Sequence, residues 1–316
     1  MSAKRPCGKM SRRGFLVAAG GAITGCCAGR GNAKGKSGPL VSFGLVTDLH
    51  SADLDPNANR HYRESVRKLG QCVADLNGRD VDFLIELGDF KDQGQTAEAT
   101  LANLRAVEAV FRRFKGARYH VLGNHDMDRI PKRQALAAME NTGIPRDRSY
   151  YSFDVKGAHF VVLDATFRPD GVSYDSGNFK WTEAFVPAEE LSWLERDLKA
   201  TRLPTVVFCH QLLDADSDVY FVRNAAAVRR VLGQSGRVLA VFQGHYHEGR
   251  YACVEGIHYY TLNAMVMGSG PQSNAYAVAE LFADGTLKVT GVPRAVSRDL
   301  RRRTREAVSA SAGCSR

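Results

Sequence analysis

The sequence predicts an α/β protein built from short buried strands and intervening helices. Five apolar runs carry this prediction, and each ends at residues of metal-ligating types. The runs are Val41–Val46, Phe83–Leu87, Tyr119–Leu122, Thr205–Cys209 and Val238–Gln243. Short apolar runs between helical stretches are typical of strands buried on both faces. Because such sheets bind ligands beyond the carboxyl ends of their strands, we expect the residues that follow these runs to meet at one edge.

The remaining elements follow from periodicity and turn residues. An apolar stripe from Tyr62 to Leu76 predicts a helix over 59–76. Further helices are predicted over 96–114, 131–139, 187–200 and 224–232. Lys156 and Gly157 separate two alternating runs and predict a hairpin. The closing strands are predicted over 251–254, 257–262, 275–281 and 286–289.

Charge is distributed unevenly along the 316 residues and marks three segments. Residues 1–36 contain eight basic and no acidic residues, and residues 294–316 contain seven arginines and two acids. The segment between them, 37–293, has 28 basic and 32 acidic residues, so the net charge of +9 belongs to the ends. We therefore predict a leader and tether over 1–36, one domain over 37–293 and an Arg-rich tail over 294–316. No nucleic-acid partner is predicted from the basicity.

The first residues resemble a bacterial export signal. The stretch Ser11-Arg12-Arg13-Gly14-Phe15-Leu16 precedes an apolar run and resembles the twin-arginine signal, which implies the twin-arginine export machinery as a partner. The predicted location is therefore periplasmic or at the cell surface. Residues 23–26 also resemble a lipoprotein cleavage box, in which a lipidated Cys26 would tether the protein to a membrane. Ordinary cleavage near Ala33 and a cytosolic protein with a basic leader remain the alternatives.

The residues after the five runs suit hydrolytic metal chemistry. Carboxylate and imidazole ligands bind Zn, Mn or Fe, whereas soft thiolate sites need cysteines. Two cations about 3.5–4 Å apart can hold both the attacking and the leaving oxygen of a phosphoryl displacement. A metal also lowers the pKa of bound water to about 7, so that hydroxide is available at neutral pH.

The residues after the runs form five blocks, which are Asp48-x-His50, Gly88-Asp89-x-x-Asp92, Gly123-Asn124-His125-Asp126, a lone His210, and Gly244-His245-x-His247. Together these five blocks resemble the motif set of calcineurin-like metallophosphoesterases, in the family order. The resemblance covers residues 41–290 and implies a four-layer sandwich of two mixed β-sheets flanked by helices. It implies that one metal is held by Asp48, His50 and His247, that the second is held by Asn124, His210 and His245, and that Asp89 bridges them. Each of these residues, taken alone, is more commonly a solvated or structural polar residue. His210 is followed by Gln211 where the family commonly has a nearby proline, so the loop there is expected to differ.

The resemblance also implies catalytic roles beside the metals. His125 would protonate the leaving oxygen or stabilise developing charge, and Asp92 would pair with His125 and set its tautomer. Asp126 is expected to orient the loop. The attacking group would be a metal-bound hydroxide.

Four short stretches, 43–48, 59–63, 151–153 and 161–164, are similar to the manganese-dependent ADP-ribose/CDP-alcohol diphosphatase branch, a patchier resemblance than the first. If it holds, Arg60 and Arg63 would offer charge to a second phosphate, although both also suit the exposed face of a helix. Asn263 begins a segment that would form a wall of the substrate pocket or pack in the core. Trp181 and Trp193 are expected to pack rather than to bind.

The sequence thus predicts a dinuclear metal-dependent phosphoesterase acting on a small phosphate ester or nucleoside diphosphate derivative. A phosphomonoesterase or cyclic phosphodiesterase on the same scaffold is the alternative enzyme. A metal-dependent binding module without turnover is the alternative from another class. The intact Asp89, Asn124 and His125 argue against the module, because a scaffold has no need of a general acid.

Overall fold

A computed structural model describes residues 38–216 and 218–301 and contains two six-stranded sheets. The leader, its predicted Cys26 tether and most of the Arg-rich tail lie outside the described residues. In the first sheet the order is β12-β11-β10-β1-β2-β3, and in the second it is β4-β5-β6-β7-β9-β8. The strands of the first sheet are β1 (Val41–Val46), β2 (Phe83–Glu86), β3 (Ala117–His120), β10 (Ala275–Leu281), β11 (Leu287–Pro293) and β12 (Arg298–Leu300). Those of the second are β4 (Tyr151–Val155), β5 (Ala158–Val162), β6 (Thr205–Phe208), β7 (Val238–Gln243), β8 (Arg250–Val254) and β9 (Ile257–Thr261).

Both sheets are mixed, as predicted. Strands β1, β2 and β3 are parallel, while β10 and β11 join them in antiparallel pairing. Strands β5, β6, β7 and β9 are parallel, and β4 and β8 are antiparallel at the two edges. The parallel strands therefore place their carboxyl ends at a common edge, where the predicted site residues follow them.

Within the described residues, five helices cover the outer faces of the sheets. They are α1 (Ser65–Asn77), α2 (Ala97–Phe111), α3 (Lys132–Ala138), α4 (Ala188–Ala200) and α5 (Ala225–Ser235). Single 3₁₀ turns lie at Tyr62–Glu64, Asn124–Met127, Trp181–Glu183 and Pro271–Ser273. The predicted helix over 59–76 begins later, at Ser65, because a 3₁₀ turn precedes it. No helix within the described residues has both the length and the apolarity needed to cross a bilayer.

Three apolar cores separate the four layers. The central one lies between the sheets and is built on edge-to-face aromatic contacts, with Phe43 5.5 Å from Phe160 and 5.8 Å from Phe242 between ring centroids. One outer core joins the first sheet to α1, α2 and α3, and the other joins the second sheet to α4 and α5. The order helix, sheet, sheet, helix confirms the predicted sandwich.

The chain adds a strand beyond the predicted end of the domain at 293. Strand β12 pairs with β11 in antiparallel register, and Leu300 is buried. Arg298 lies over the ring of Tyr251, 3.9 Å from its centroid, and Tyr260 Oη donates to Val296 O. The Arg-rich composition of this segment did not predict a strand; pairing with β11, the stacking of Arg298 and the burial of Leu300 in the central core hold it.

Candidate metal centre

Five loops converge at the carboxyl ends of the parallel strands. They surround a cavity of about 310 Å³ lined by His50, Arg60, Asp89, Asn124, His125, Trp181, Tyr220, His245 and His247. Backbone hydrogen bonds tie neighbouring loops together, since Asp48 N donates to Gly88 O at 3.0 Å and His50 N donates to Asp89 O at 2.9 Å. The structure therefore brings together residues that are up to two hundred positions apart.

Four of the predicted ligands have a left-handed backbone. The φ angles are 49° at Asp48, 44° at His50, 56° at Asp89 and 67° at His245. Such angles are unfavourable for residues other than glycine and persist where the surroundings enforce them, often at functional sites. Three of these four residues, His50, Asp89 and His245, line the shared cavity.

Two glycines allow the loops to approach closely. A Cβ on Gly244 would lie 2.1 Å from Thr47 Oγ1 and 2.8 Å from Asp48 Oδ2. A Cβ on Gly88 would lie 2.5 Å from His210 Nδ1, and its φ of 102° is itself unfavourable for other residues. Both positions require glycine so that the ligand-bearing loops can meet.

The first donor group consists of Asp48, His50 and His247. One donor atom from each lies within 4.8 Å of the other two. His247 Nε2 is 3.5 Å from Asp48 Oδ1 and 3.1 Å from His50 Nε2, and His50 Nε2 is 3.8 Å from Asp48 Oδ1. Ligands at about 2.0–2.2 Å from one cation are separated by about 3–4 Å, so these spacings fit a single ion.

The second donor group consists of Asp89, His210 and His245, with Asn124 beside them. His210 Nε2 is 3.2 Å from Asp89 Oδ2, and that same oxygen is 3.7 Å from His50 Nε2 of the first group. Asn124 Oδ1 and His245 Nε2 are buried and lack a hydrogen-bond partner among the described residues. Buried polar atoms are rarely left unpaired, so the two orphaned atoms and the shared oxygen fit a second cation beside the first.

Hydrogen bonds outside the cavity orient the imidazole ligands. His210 Nδ1 donates to Leu87 O at 2.8 Å, and its Nε2 is directed at Asp89. His50 Nδ1 lies 3.3 Å from Asp92 Oδ2, and its Nε2 faces Asp48 and His247, the other two members of the first donor group. Such outer contacts set the tautomer of metal-binding histidines.

The electrostatics favour ionised carboxylates among these histidines. Burial would raise the pKa of Asp48, but hydrogen bonds with His247 and His50 outweigh it and hold that pKa well below its usual range. Burial lowers the pKa of His50, yet hydrogen bonds with Asp48 and Asp92 raise it to about 10. Burial, reinforced by the charge of His210, lowers the pKa of His245 to about 3. Histidine binds a metal through a deprotonated ring nitrogen, so a cation at His50 would compete with a proton for Nε2.

The partner of His125 differs from the predicted one. His125 Nδ1 lies 2.6 Å from Asp128 Oδ2 but 3.7 Å from Asp92 Oδ1, which is too far for a hydrogen bond. Asp92 instead faces His50. The 3₁₀ turn at Asn124–Met127 carries the His125 ring toward the residue three positions ahead. Asp128 is therefore the site residue that sequence reasoning missed, although its spacing of three from His125 was visible.

Asp126 orients the loop as expected. Its carboxylate accepts hydrogen bonds from the backbone N–H groups of Asp89, Phe90 and Gly123, at 3.2, 3.0 and 2.8 Å. Lys91, fully buried, donates to the carbonyls of His125 and Asp128. These contacts hold the turn that presents Asn124 and His125 to the cavity.

The three predicted substrate residues separate in space. Arg60 lines the cavity, and no carboxylate pairs with it among the described residues. Arg63 is half exposed and forms ion pairs with Asp53 and Asp55, so it does not reach the site. Asn263 is buried, donates to Glu248 O at 2.6 Å and lines a different cavity of about 100 Å³.

Two aromatic residues at the cavity were not predicted as binding residues. Trp181, which we expected to pack, is 41% exposed and lines the cavity together with Tyr220. Nothing in their local sequence signals this position, because separate loops bring them there.

The fold and the two donor groups define a two-metal hydrolase. The chain belongs to the calcineurin-like phosphoesterase family, whose model matches residues 41–249. This membership confirms the predicted metal-dependent phosphoesterase, which acts on phosphoester bonds with two divalent metal ions.

Individual proteins and one solved structure are also similar to this chain. Two proteins called manganese-dependent ADP-ribose/CDP-alcohol diphosphatase are similar to this chain. The one from Oryza sativa subsp. japonica is 28% identical over 294 residues, which cover 79% of this chain and 91% of that protein. The one from Arabidopsis thaliana is 24% identical over 305 residues, covering 83% and 97%. Among solved structures, a dimetal phosphatase from Danio rerio matches with a TM-score of 0.71 at 22% identity, covering 84% of this chain and all of that one. That likeness shows the shared fold.

Proposed function

We propose that this protein is a manganese-dependent diphosphatase that hydrolyses a nucleoside diphosphate derivative. The single observation that carries the proposal is Arg60, an arginine without a carboxylate partner among the described residues, in the cavity that holds both donor groups. A monoester needs only the two metals, whereas a diphosphate brings a second anionic group for a guanidinium to bind. The names of the plant relatives support the same substrate class.

The two donor groups support the proposed metal ligands. Asp48, His50 and His247 would hold one ion, while Asn124, His210 and His245 would hold the other. Asp89 serves both, since its Oδ2 faces His50 and His210 from between the groups. When bound, the two ions supply Lewis-acid activation of water and neutralise charge at phosphorus.

His125 is the proposed proton donor. Its ring lines the cavity, 4.7 Å from the ring of His50 between centroids, and is held by Asp128 rather than by a metal. Burial lowers the pKa of His125, but the charge of Asp89 and the hydrogen bond with Asp128 raise it above its ordinary value. A protonated His125 can therefore give its proton to the leaving oxygen as the phosphorus–oxygen bond breaks.

The substrate class is tested by turnover with Mn. ADP-ribose and a CDP-alcohol should be hydrolysed with higher kcat/KM than p-nitrophenyl phosphate or a cyclic nucleotide. Arg60→Ala should lower kcat/KM for the diphosphates about 10-fold or more, given about 1.5–3 kcal/mol for a hydrogen bond to a charged group. Arg63→Ala is the matched control and should leave it unchanged. Preference for the monoester or the cyclic substrate would instead establish the alternative enzyme, and metal binding without any turnover would establish a binding module.

For localisation we propose export by the twin-arginine route to the periplasm or cell surface. The paired arginines with Phe15 and Leu16 support this. Replacing Arg12 and Arg13 by lysine should retain the protein in the cytoplasm with full activity. Mass spectrometry of the exported form distinguishes a diacylated N-terminal Cys26 from cleavage near Ala33. Export of the double-lysine variant at the normal level would contradict the proposal.

A further inference from the structure

The rim of the metal cavity carries an aromatic pair that the hydrolytic machinery does not use. The Trp181 and Tyr220 rings lie 5.5 Å apart between centroids, and both line the cavity. Each ring also lies 5.6 Å from the ring of His245, at 68° and 73°. The aromatic pair is therefore placed beside the second donor group, at contact distance from a metal ligand.

Trp181 is held in place although its ring is exposed. Tyr174 is fully buried, stacks on Phe179 at 4.0 Å and donates its hydroxyl to Lys180 O at 3.1 Å. Glu183 N also donates to Lys180 O, at 3.0 Å. These contacts anchor the chain immediately before Trp181, so the ring is presented to the cavity by an ordered segment.

Tyr220 is held by a second set of contacts, on a different loop from Trp181. Leu212 N donates to Tyr220 O at 3.2 Å, two residues beyond the ligand His210. The Tyr220 ring meets that of Tyr246 edge to face at 5.1 Å. The loop that bears Tyr220 is thus tied to the same strand ends that bear the metal ligands.

Arg60 is attached to a different part of the site. A β-bridge joins Arg60 to Met267, and His61 N donates to Val266 O at 2.8 Å. Val266 N in turn donates to Asp48 O at 3.0 Å, so Arg60 is connected to the first donor group. The cavity therefore has a cationic end near Asp48 and an aromatic end near His245.

We propose that Trp181 and Tyr220 form a stacking subsite for the base of a nucleoside diphosphate derivative. The assignment rests on the proposed function. It adds a binding site for the base, which is the part of the substrate that neither the metals nor Arg60 would contact. The base stacks on the exposed Trp181 face, and Tyr220 borders it. Stacking accepts purines and pyrimidines alike, because every base has a π-face. The subsite thus explains how one enzyme would accept both adenine and cytosine derivatives.

The test compares two ligands that differ only in the base. AMP and ribose 5-phosphate are titrated into the Mn-loaded protein by calorimetry. AMP should bind about 5- to 150-fold more tightly, the factor expected for stacking of one base. Trp181→Ala should reduce this ratio to nearly one, and Trp181→Phe should restore most of it. CMP should show the same dependence on Trp181 as AMP.

The chain contains only two tryptophans, which provide a matched control. Trp193 contacts Tyr150 and does not line the cavity. In Trp193→Phe the AMP preference should persist and AMP should quench the remaining fluorescence, whereas in Trp181→Phe the quenching should disappear. Equal binding of AMP and ribose 5-phosphate by the unmodified protein, or an unchanged ratio in Trp181→Ala, would overturn the subsite. These measurements require no turnover, so failure of the diphosphatase assay is a separate result.

Discussion

Two carboxylates border His125, and the structure predicts that they affect different steps. Asp128 Oδ2 lies 2.6 Å from His125 Nδ1, while Asp92 Oδ2 lies 3.3 Å from His50 Nδ1. We therefore infer that Asp128 positions the proposed proton donor and that Asp92 positions a proposed metal ligand. We expect Asp128→Ala to slow turnover at normal metal affinity, and Asp92→Ala to weaken metal binding.

The magnitudes follow from the contacts. A hydrogen bond to a charged group contributes about 1.5–3 kcal/mol, so losing the Asp128 contact should lower kcat about 10- to 150-fold. The loss cannot exceed that of removing His125 itself, about 10²–10⁴-fold for a general acid. Removing an outer partner of a metal ligand weakens metal affinity by about 10–100-fold, which is the expectation for Asp92→Ala.

The assay uses substrates that need a proton to different degrees. With Mn saturating, Asp128→Ala should slow esters of alkyl alcohols more than those of p-nitrophenol, because p-nitrophenolate leaves without protonation. Manganese affinity is measured separately by calorimetry. The reasoning fails if Asp128→Ala leaves alkyl-ester turnover intact, or if Asp92→Ala reproduces the leaving-group dependence at unchanged Mn affinity.

Three further predictions concern the shared ligand, a glycine and a remote histidine. Asp89→Asn should lower both metal content and kcat, as checked by metal analysis; two full equivalents of metal with normal turnover would contradict its shared role. Gly244→Ala should lower manganese affinity without unfolding the chain, because a Cβ would lie 2.1 Å from Thr47 Oγ1 beside Asp48; calorimetry and circular dichroism check this, and unchanged affinity would refute it. Burial lowers the pKa of His159, but hydrogen bonds with Asp197 and Asp154 raise it above 6.5. The stabilisation by His159 is then complete below about pH 6.5. It declines as pH rises through the folded-state pKa, so the difference in urea midpoint between wild type and His159→Gln should shrink from pH 6 to pH 9.

The candidate ligands could be located in the sequence because each of them lies within a few residues of the end of a buried strand. Apolar runs ending at Asp48, Asp89 or His210 are local patterns, and parallel strands necessarily gather their carboxyl ends. The fold class and the convergence of these residues therefore followed from short stretches and their order, whereas the layer order and the division of the residues between two metals were implied by the family resemblance.

Contacts between loops required the tertiary structure. Arg60 and Arg63 look equivalent in sequence, yet ion pairs with Asp53 and Asp55 occupy only Arg63. Likewise, the path of one 3₁₀ turn decides that Asp128 rather than Asp92 lies against His125.

The sequence by itself determined which groups could bind metal, since ligand chemistry belongs to each side chain and strand ends are marked locally. Only the tertiary structure decided which charges are neutralised and which rings, such as Trp181, face the cavity. The physical reason is that ion pairing and hydrogen bonding depend on ångström-scale separations between distant segments, and those separations are set by how the loops pack. Residue type and spacing along the chain do not specify them.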